Sequence, residues 1–258
     1  MTANQPRVYR TEAVILKGYD YGEADRILTL YTPHAGKLRG IAKGMRKTKS
    51  RLGGHLDLFT RSNLMVARGR QLDIVTQADT IETFRPLRED LQRLSYAHYV
   101  CELVDGFSAE DLGNYPLYAL LLSTLRRIAE LPRVDLAVRS FELQLLDVTG
   151  FRPQFQQCLH CETPIEPEAN RFSVKLGGIL CPRCAFADAT APVISINALK
   201  VLRNLQRNEV AVMNLSDIPV DVGNEIEHRL QEYVTYRLES RPRSVAFLDR
   251  LRSESASI

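Results

Sequence analysis

Four of the five cysteines stand as Cys158-Leu159-His160-Cys161 and Cys181-Pro182-Arg183-Cys184, a C-x2-C-x19-C-x2-C arrangement. Two residues between paired cysteines let the backbone curl round one ion so that both thiolates converge on it. Two such arms supply the four ligands of a tetrahedral site, the spacing of a zinc ribbon or knuckle. Four thiolates leave no open position for water, so the expected role of one bound Zn2+ is structural rather than catalytic. A redox dithiol pair and an iron–sulfur cluster are the rival uses of this spacing. His160 is read as a bystander, since four thiols complete the set. The fifth cysteine, Cys101, recurs at helical spacing with His98, and the pair reads as a buried thiol beside a satisfied core histidine.

The second chemistry is charge. Between residues 26 and 56 stand Arg26, Lys37, Arg39, Lys43, Arg46, Lys47, Lys49 and Arg51, with no Asp or Glu; the nearest acids are Asp25 and Asp57. A solvated face normally mixes signs, so a single-sign run of this length points to a polyanion, and these eight residues are the candidate nucleic-acid contacts. The net charge of +3 hides an asymmetry. Residues 1–80 contain 14 Lys and Arg against 7 Asp and Glu, whereas the remainder has 20 against 24. Basic character belongs to the N-terminal third.

The elements that must position these groups can be read from period and punctuation. Residues 8–82 read as strands over 10–17, 26–31, 37–43, 56–66 and 72–80, with turns over 18–22, 33–36, 44–54 and 68–70. Alternation such as Leu56-Asp57-Leu58-Phe59 suits a half-buried antiparallel sheet. Five strands too closely spaced for helical crossovers predict a small OB-type barrel, with an SH3-like barrel as the competing form. On the third strand Lys37, Arg39, Ile41 and Lys43 share one face. Tyr9, Tyr19, Tyr21, Tyr31 and Phe59 are the aromatic residues available for stacking.

From Pro86 the period becomes helical. A helix over 86–107 is expected to bury Leu87, Leu91, Leu94, His98 and Cys101. A second, over 117–131, is capped by Asn114 with Pro116 in its first turn. A third, over 134–149, stops at Gly150. After the cysteine cassette, whose 171–176 arm turns at Gly177-Gly178, come a helix over 196–207 capped by Ser195, a connection over 209–219, and a helix over 222–238. A short amphipathic segment over 244–251 precedes a frayed tail over 253–258. The fold class is α+β: an N-terminal five-stranded OB-type barrel, then a helical bundle with an inserted four-cysteine zinc element. The expected domains are 1–82 (OB-fold), 83–150 and 191–258 (two parts of the helical domain), and 151–190 (zinc element).

No apolar run approaches the ~20 residues of a membrane span, and residues 1–7 lack the apolar centre of a signal peptide, so a cytoplasmic, membrane-free protein is expected. There is no G-x4-G-K-[ST], H-E-x-x-H or G-x-S-x-G. Glu23 with Asp25 reads better as turn capping than as a nuclease pair, and no catalytic constellation can be assembled. The basic stretch also admits an OB/zinc-ribbon RNA-binding protein of translation or transcription, and a scaffold whose basic stretch meets an acidic partner.

The order of motifs resembles the bacterial RecO family of recombination mediators. The resemblance is carried by residues 11–16 and by Tyr21-Gly22-Glu23-Ala24-Asp25-Arg26 continuing to Thr32. It goes on through Gly36-Lys37, Ala42-Lys43-Gly44-Met45-Arg46-Lys47, Ser50-Arg51, residues 141–146, Gly150-Phe151-Arg152-Pro153 and the four cysteines. It covers nearly the whole chain. The resemblance implies an N-terminal OB-fold, a helical domain with a zinc-binding element, and work in the RecF-type repair pathway. It also implies binding of single- and double-stranded DNA, annealing of complementary strands, contact with single-strand-binding protein, and action with RecR to help load RecA. Such a protein would be nucleoid-associated.

Overall fold

The computed structural model describes residues 7–207 and 218–255. The N-terminal segment 1–6, residues 208–217 of the connection, and the tail from 256 lie outside the described residues, together with the expectations made for them. The architecture is α+β. Five strands, β1 (Val8–Tyr21), β2 (Asp25–Thr32), β3 (Gly36–Ala42), β4 (Arg61–Ala67) and β5 (Asp73–Glu82), close in the order β1-β2-β3-β5-β4. β4 returns to pair antiparallel with β1, and β3 meets β5 in a short parallel pairing of Gly40 with Asp73 and Ile41 with Ile74. A simple meander would set β3 beside β4. This Greek-key crossing selects the OB form of the two that periodicity left open.

Period-two patterning fills the barrel. On β3, Leu38, Gly40 and Ala42 are buried while Lys37, Arg39 and Ile41 face outward. Ile15, Leu28, Leu30, Leu64, Val66 and Val75 join Leu38 in the interior. Two local readings are corrected. β1 does not turn at residue 18 but runs to Tyr21, because Tyr19, Asp20 and Tyr21 pair with Ile27, Arg26 and Asp25. Residues 56–59 are not a strand: a 3₁₀ turn spans Gly53–His55, and Phe59 sits at φ 67°. Leu56 and Phe59, three apart, are the buried anchors there. The Phe59 N–H and the Thr60 carbonyl bond Ile15 of β1 at 2.9 and 3.1 Å, so this backbone is satisfied without a ladder of its own.

Three helices follow: α1 (Pro86–Glu89), α2 (Leu91–Phe107) and α3 (Tyr115–Glu130). The single helix expected over 86–107 breaks at Asp90, which is extended and caps α2 by accepting the Arg93 N–H at 2.8 Å. The buried face of α2 is Tyr96, Ala97, Tyr99, Val100, Cys101, Leu103 and Val104, whereas Leu91 and His98 are exposed. His98 is thus no core histidine; its ring meets Phe59 edge-on, with centroids 5.1 Å apart. Because α2 packs against α1, α3 and β1, most of its circumference is covered, and a single three-four stripe traced the seam rather than the centre. Cys101 is buried as expected, and burial pushes its thiol well up. Asn114 caps α3, its Oδ1 accepting the Leu117 N–H at 3.1 Å.

By packing, the chain forms two compact units: residues up to Glu130 with those from Ala246, and Leu131–Val245. The change from strand to helix near residue 83 therefore falls inside the first unit. In the second, α4 (Val134–Val148) packs on α5 (Ile196–Gln206) and α6 (Val220–Leu238). The hairpin β6 (Arg171–Ser173) and β7 (Gly178–Leu180) lies between α4 and α5 in sequence. α7 (Arg243–Ser255) closes the described chain and includes the start of the tail expected to fray. Among the described residues no helix is long and apolar enough to cross a membrane.

The second unit holds a buried charge cluster. Arg139 and Glu142 of α4 are 1% and 0% exposed, with Nη1 to Oε1 3.0 Å, and Nη2 lies 3.4 Å from Oε1 of Glu227 on α6. Removing one partner strands a desolvated charge. Glu142→Ala is therefore expected to lower stability by about 3–5 kcal/mol. A urea-unfolding midpoint close to wild type would contradict it.

Candidate nucleic-acid interface and metal centre

Directly opposed residues in antiparallel strands point to the same side. The register sets Lys17, Thr29 and Arg39 in one row across β1, β2 and β3, and Tyr19, Ile27 and Ile41 in the next. One outward face therefore carries Lys17, Tyr19 and Tyr21 from β1 with Lys37, Arg39 and Ile41 from β3. Tyr19 is 46% and Tyr21 55% exposed, while Tyr31 and Phe59 are fully buried. Tyr9 is half-buried, its hydroxyl donating to Asp73 Oδ2 at 2.7 Å beneath the Arg68 guanidinium. Of the five aromatic candidates, two are available for stacking.

The cations are held in different ways. Asp25 Oδ1 accepts the Gly44 N–H at 2.7 Å, and the Ala24 carbonyl accepts the Arg46 N–H at 2.9 Å. These bonds dock the loop after β3 against the β1–β2 turn, and Asp25 acts as a capping group. Arg26 and Arg46 share Asp20, at 3.3 and 2.6 Å. Arg39 is exposed and donates to the Tyr19 hydroxyl at 3.2 Å. Lys43, just past the end of β3, and Lys47, Lys49 and Arg51 in the loop are exposed, with no carboxylate partner among the described residues.

Lys37 differs from the rest. Its Nζ donates to the Asp105 carbonyl at 2.7 Å and lies 3.2 Å from Oδ1, while Lys17 binds the other carboxylate oxygen. Burial alone would raise the Asp105 carboxyl; Lys17 and then Lys37 more than reverse this and hold it below the ordinary carboxylate value. Arg39 thus stands with Tyr19 and Tyr21 on one face, the start of the loop that carries Lys43, Arg46, Lys47, Lys49 and Arg51 is docked beside the β1–β2 turn, and Lys37 is tied down beside α2. Sequence reasoning missed Lys17 and misplaced Tyr19 and Tyr21 in a turn. Carrying the period-two pattern of β1 through Gly18 would have put all three on this face.

The four cysteine sulfurs all lie within 4.8 Å of one another, and Cys161 Sγ is 3.8 Å from Cys181 Sγ. Tetrahedral metal–sulfur bonds of about 2.3 Å place sulfurs about 3.8 Å apart, so the four fit one ion. The first arm curls as expected: the Cys158 carbonyl accepts the Glu162 N–H at 2.9 Å, and Glu162 adopts φ 59°. The Cys181 N–H donates to Cys158 Sγ at 3.4 Å. Burial would raise the Cys158 thiol, but N–H groups of Cys161, Cys181 and His160 bring it below its ordinary value. Cys161 is lowered to about 6, chiefly by Thr163, whereas burial pushes Cys184 up to about 12. Four sulfurs in so small a volume are a group that can hold a metal ion. His160 lies outside it, its ring edge-on to Phe186 at 5.1 Å.

An OB barrel with an open basic face, followed by a helical half that carries a four-thiol centre, defines the class of protein. Comparison with known proteins narrows it. Residues 7–84 match the family model for the recombination protein O N terminal, and residues 88–246 that for the recombination protein O C terminal. The chain is 44% identical over 246 residues to the DNA repair protein RecO of Roseiflexus sp. (strain RS-1), covering 95% of this chain and 87% of the relative. It is 39% identical over 247 residues to the DNA repair protein RecO of Dehalococcoides mccartyi (strain ATCC BAA-2266 / KCTC 15142 / 195), covering 96% and 97%. It is 40% identical over 244 residues to that of Desulforudis audaxviator (strain MP104C), covering 94% and 97%. The chain belongs to the RecO family of DNA repair proteins.

Because Asp25 docks the basic loop through a charge-assisted bond, Asp25→Ala should free the loop while leaving the barrel core intact. Limited trypsin digestion should then cut faster at Lys47, Lys49 and Arg51 with little change in melting temperature. Equal cleavage rates would show that the loop is held by other means.

Proposed function

We propose that this protein is a recombination mediator that binds single- and double-stranded DNA largely through phosphates and anneals complementary strands. With RecR, it helps load RecA on DNA coated by single-strand-binding protein, in the cytoplasm at the nucleoid. The observation that carries the reading is the acid-free basic run on an OB barrel, with Arg39 and the docked start of its loop beside the exposed Tyr19 and Tyr21. Family membership supports DNA repair over the RNA-binding alternative. Arg39, Lys43, Lys47, Lys49 and Arg51 are the phosphate contacts, with Arg26 and Arg46 contributing less because they share Asp20. Lys37 acts mainly through Asp105, as a brace. Tyr19 and Tyr21 offer faces on which bases stack irrespective of sequence.

Phosphate tracking and stacking suit a protein that must act on any damaged sequence. Annealing breaks and forms no covalent bond, so the reading requires no catalytic residue. Cys158, Cys161, Cys181 and Cys184 would hold one structural Zn2+, whose charge offsets the crowded thiolates. Its role is to fix the cassette between α4 and α5, with no part in a chemical step.

Charge reversal at Arg39, Lys43 and Lys47 should weaken binding about equally across sequences. Each lost phosphate contact should flatten the log–log salt dependence for single strands by about 0.7. An unchanged slope would remove this face as the groove. An annealing assay on the wild type, with and without single-strand-binding protein, tests the mediator reading itself; failure to anneal in both would sink it. For the metal, elemental analysis should find one zinc per chain, lost in the Cys158→Ser, Cys181→Ser variant along with thermal stability. A variant melting at the wild-type temperature would overturn the structural assignment.

A further inference from the structure

The face just described leaves a second feature of the first unit unused. A cleft of about 650 Å³ lies between the outer side of β1 and β4, the β2–β3 turn and one side of α3. At its mouth the rings of His34 and Tyr115 run nearly parallel, 17° apart with centroids 6.3 Å apart, and Tyr115 is 60% exposed. Arg10, exposed on β1, and Arg61 on β4 line its wall. Arg61 is fixed in place: Glu12 Oε2 accepts its Nη2 at 2.6 Å and its Nε at 3.1 Å, and also the Tyr118 hydroxyl at 3.2 Å. The one carboxylate among the described residues that line the cleft is therefore already engaged by three donors. Arg126, also on the wall, is held by Glu82 at 2.7 Å.

Two close backbone approaches hold the aromatic pair. A Cβ on Gly36 would lie 2.0 Å from the Leu112 carbonyl oxygen, and a Cβ on Gly113 would lie 2.0 Å from that of His34. Only glycine lets the segment before α3 press against the β2–β3 turn, and that contact sets Tyr115 beside His34. Exposed parallel rings next to guanidinium groups and the N-terminus of α3 form a site for a base with its phosphate. The basic loop after β3 starts at the opposite end of the β2–β3 hairpin, by the β1–β2 turn.

We propose that this cleft is a second contact for single-stranded nucleic acid, with a base on Tyr115 and His34 and its phosphate on Arg10. A protein that anneals must present two strands to each other, and two separate contacts on one barrel allow this. The inference rests on the DNA-binding reading above. The test compares wild type, Tyr115→Ala, Arg10→Glu and Tyr115→Phe, all checked for unchanged melting temperature. Binding of one oligonucleotide, annealing of two complementary oligonucleotides, and photo-cross-linking of 5-iodouracil oligonucleotides are measured.

The expected result is a wild-type cross-link at Tyr115, with Tyr115→Ala and Arg10→Glu slowing annealing about tenfold while first-strand affinity stays within about twofold. Tyr115→Phe, which keeps the ring, should behave as wild type. Unchanged annealing in Tyr115→Ala, or a cross-link given by a free mononucleotide but not by an oligonucleotide, overturns the proposal. Wild type that binds no strand at all would fail the underlying reading instead, and is recognised by having no affinity for the variants to lose.

Discussion

The structure of the first unit depends on crowding many like charges onto a small barrel. Eight cations fall between residues 26 and 56 with no acid among them. Two unit charges 4 Å apart repel by about 1 kcal/mol even in bulk water, and by more near a protein surface. The fold answers with carboxylates from outside the run. Asp20 stands between Arg26 and Arg46, Asp25 takes the Gly44 N–H, and Asp105 sits between Lys17 and Lys37. Each of these acids is also an anchor. Arg26, Arg46 and Lys37 are held by them, whereas Lys43, Lys47, Lys49 and Arg51 are exposed with no carboxylate partner among the described residues.

The second unit meets the opposite difficulty, too little regular structure. Between α4 and α5 the ladder consists of two strands of three residues each, which cannot stand as an independent sheet. Helix side chains satisfy the loop backbone instead. Arg203 donates to the Phe155 carbonyl at 2.8 and 3.0 Å and to that of Ile165 at 3.2 Å. Gln206 reaches the Pro153 carbonyl at 2.8 Å, and the Tyr233 hydroxyl reaches that of Phe151 at 2.9 Å. These bonds hold the base of the segment. The convergent sulfurs join the first knuckle to the end of the hairpin, where the Leu159 N–H also donates to the Ile179 carbonyl at 2.9 Å, so the polar stitching and the metal-binding group do complementary work.

What was legible in the sequence was whatever local rules decide. The caps Asn114 and Ser195, the cysteine spacing, the acid-free run and most strand positions depend on residues a few places apart. What was not legible depends on distant partners. β1 continues through Gly18 because β2 pairs with it, against the turn-like composition of residues 18–22. Lys37 looked like the first residue of a phosphate groove, yet its partner stands 68 residues away on α2. Asp90 breaks a pattern whose apolar spacing alone favoured one long helix, because a cap carboxylate competes for the backbone there.

The same distinction explains which aromatic residues reach solvent. Tyr19, Tyr21, Tyr31 and Phe59 are alike in type and all lie in the barrel sequence, but burial separates them completely. Phe59 is drawn inside by a left-handed backbone turn tied to Ile15, and Tyr31 is fully buried on β2. Tyr19 and Tyr21 stay outside because they extend β1 beyond the covered part of the barrel, towards the turn where the basic loop is docked. The length of β1 is therefore what sets two exposed aromatic rings beside Arg39 and the start of the basic loop. Had the strand ended at Gly18, as composition suggested, the cations would stand on this side of the barrel without an aromatic platform between them.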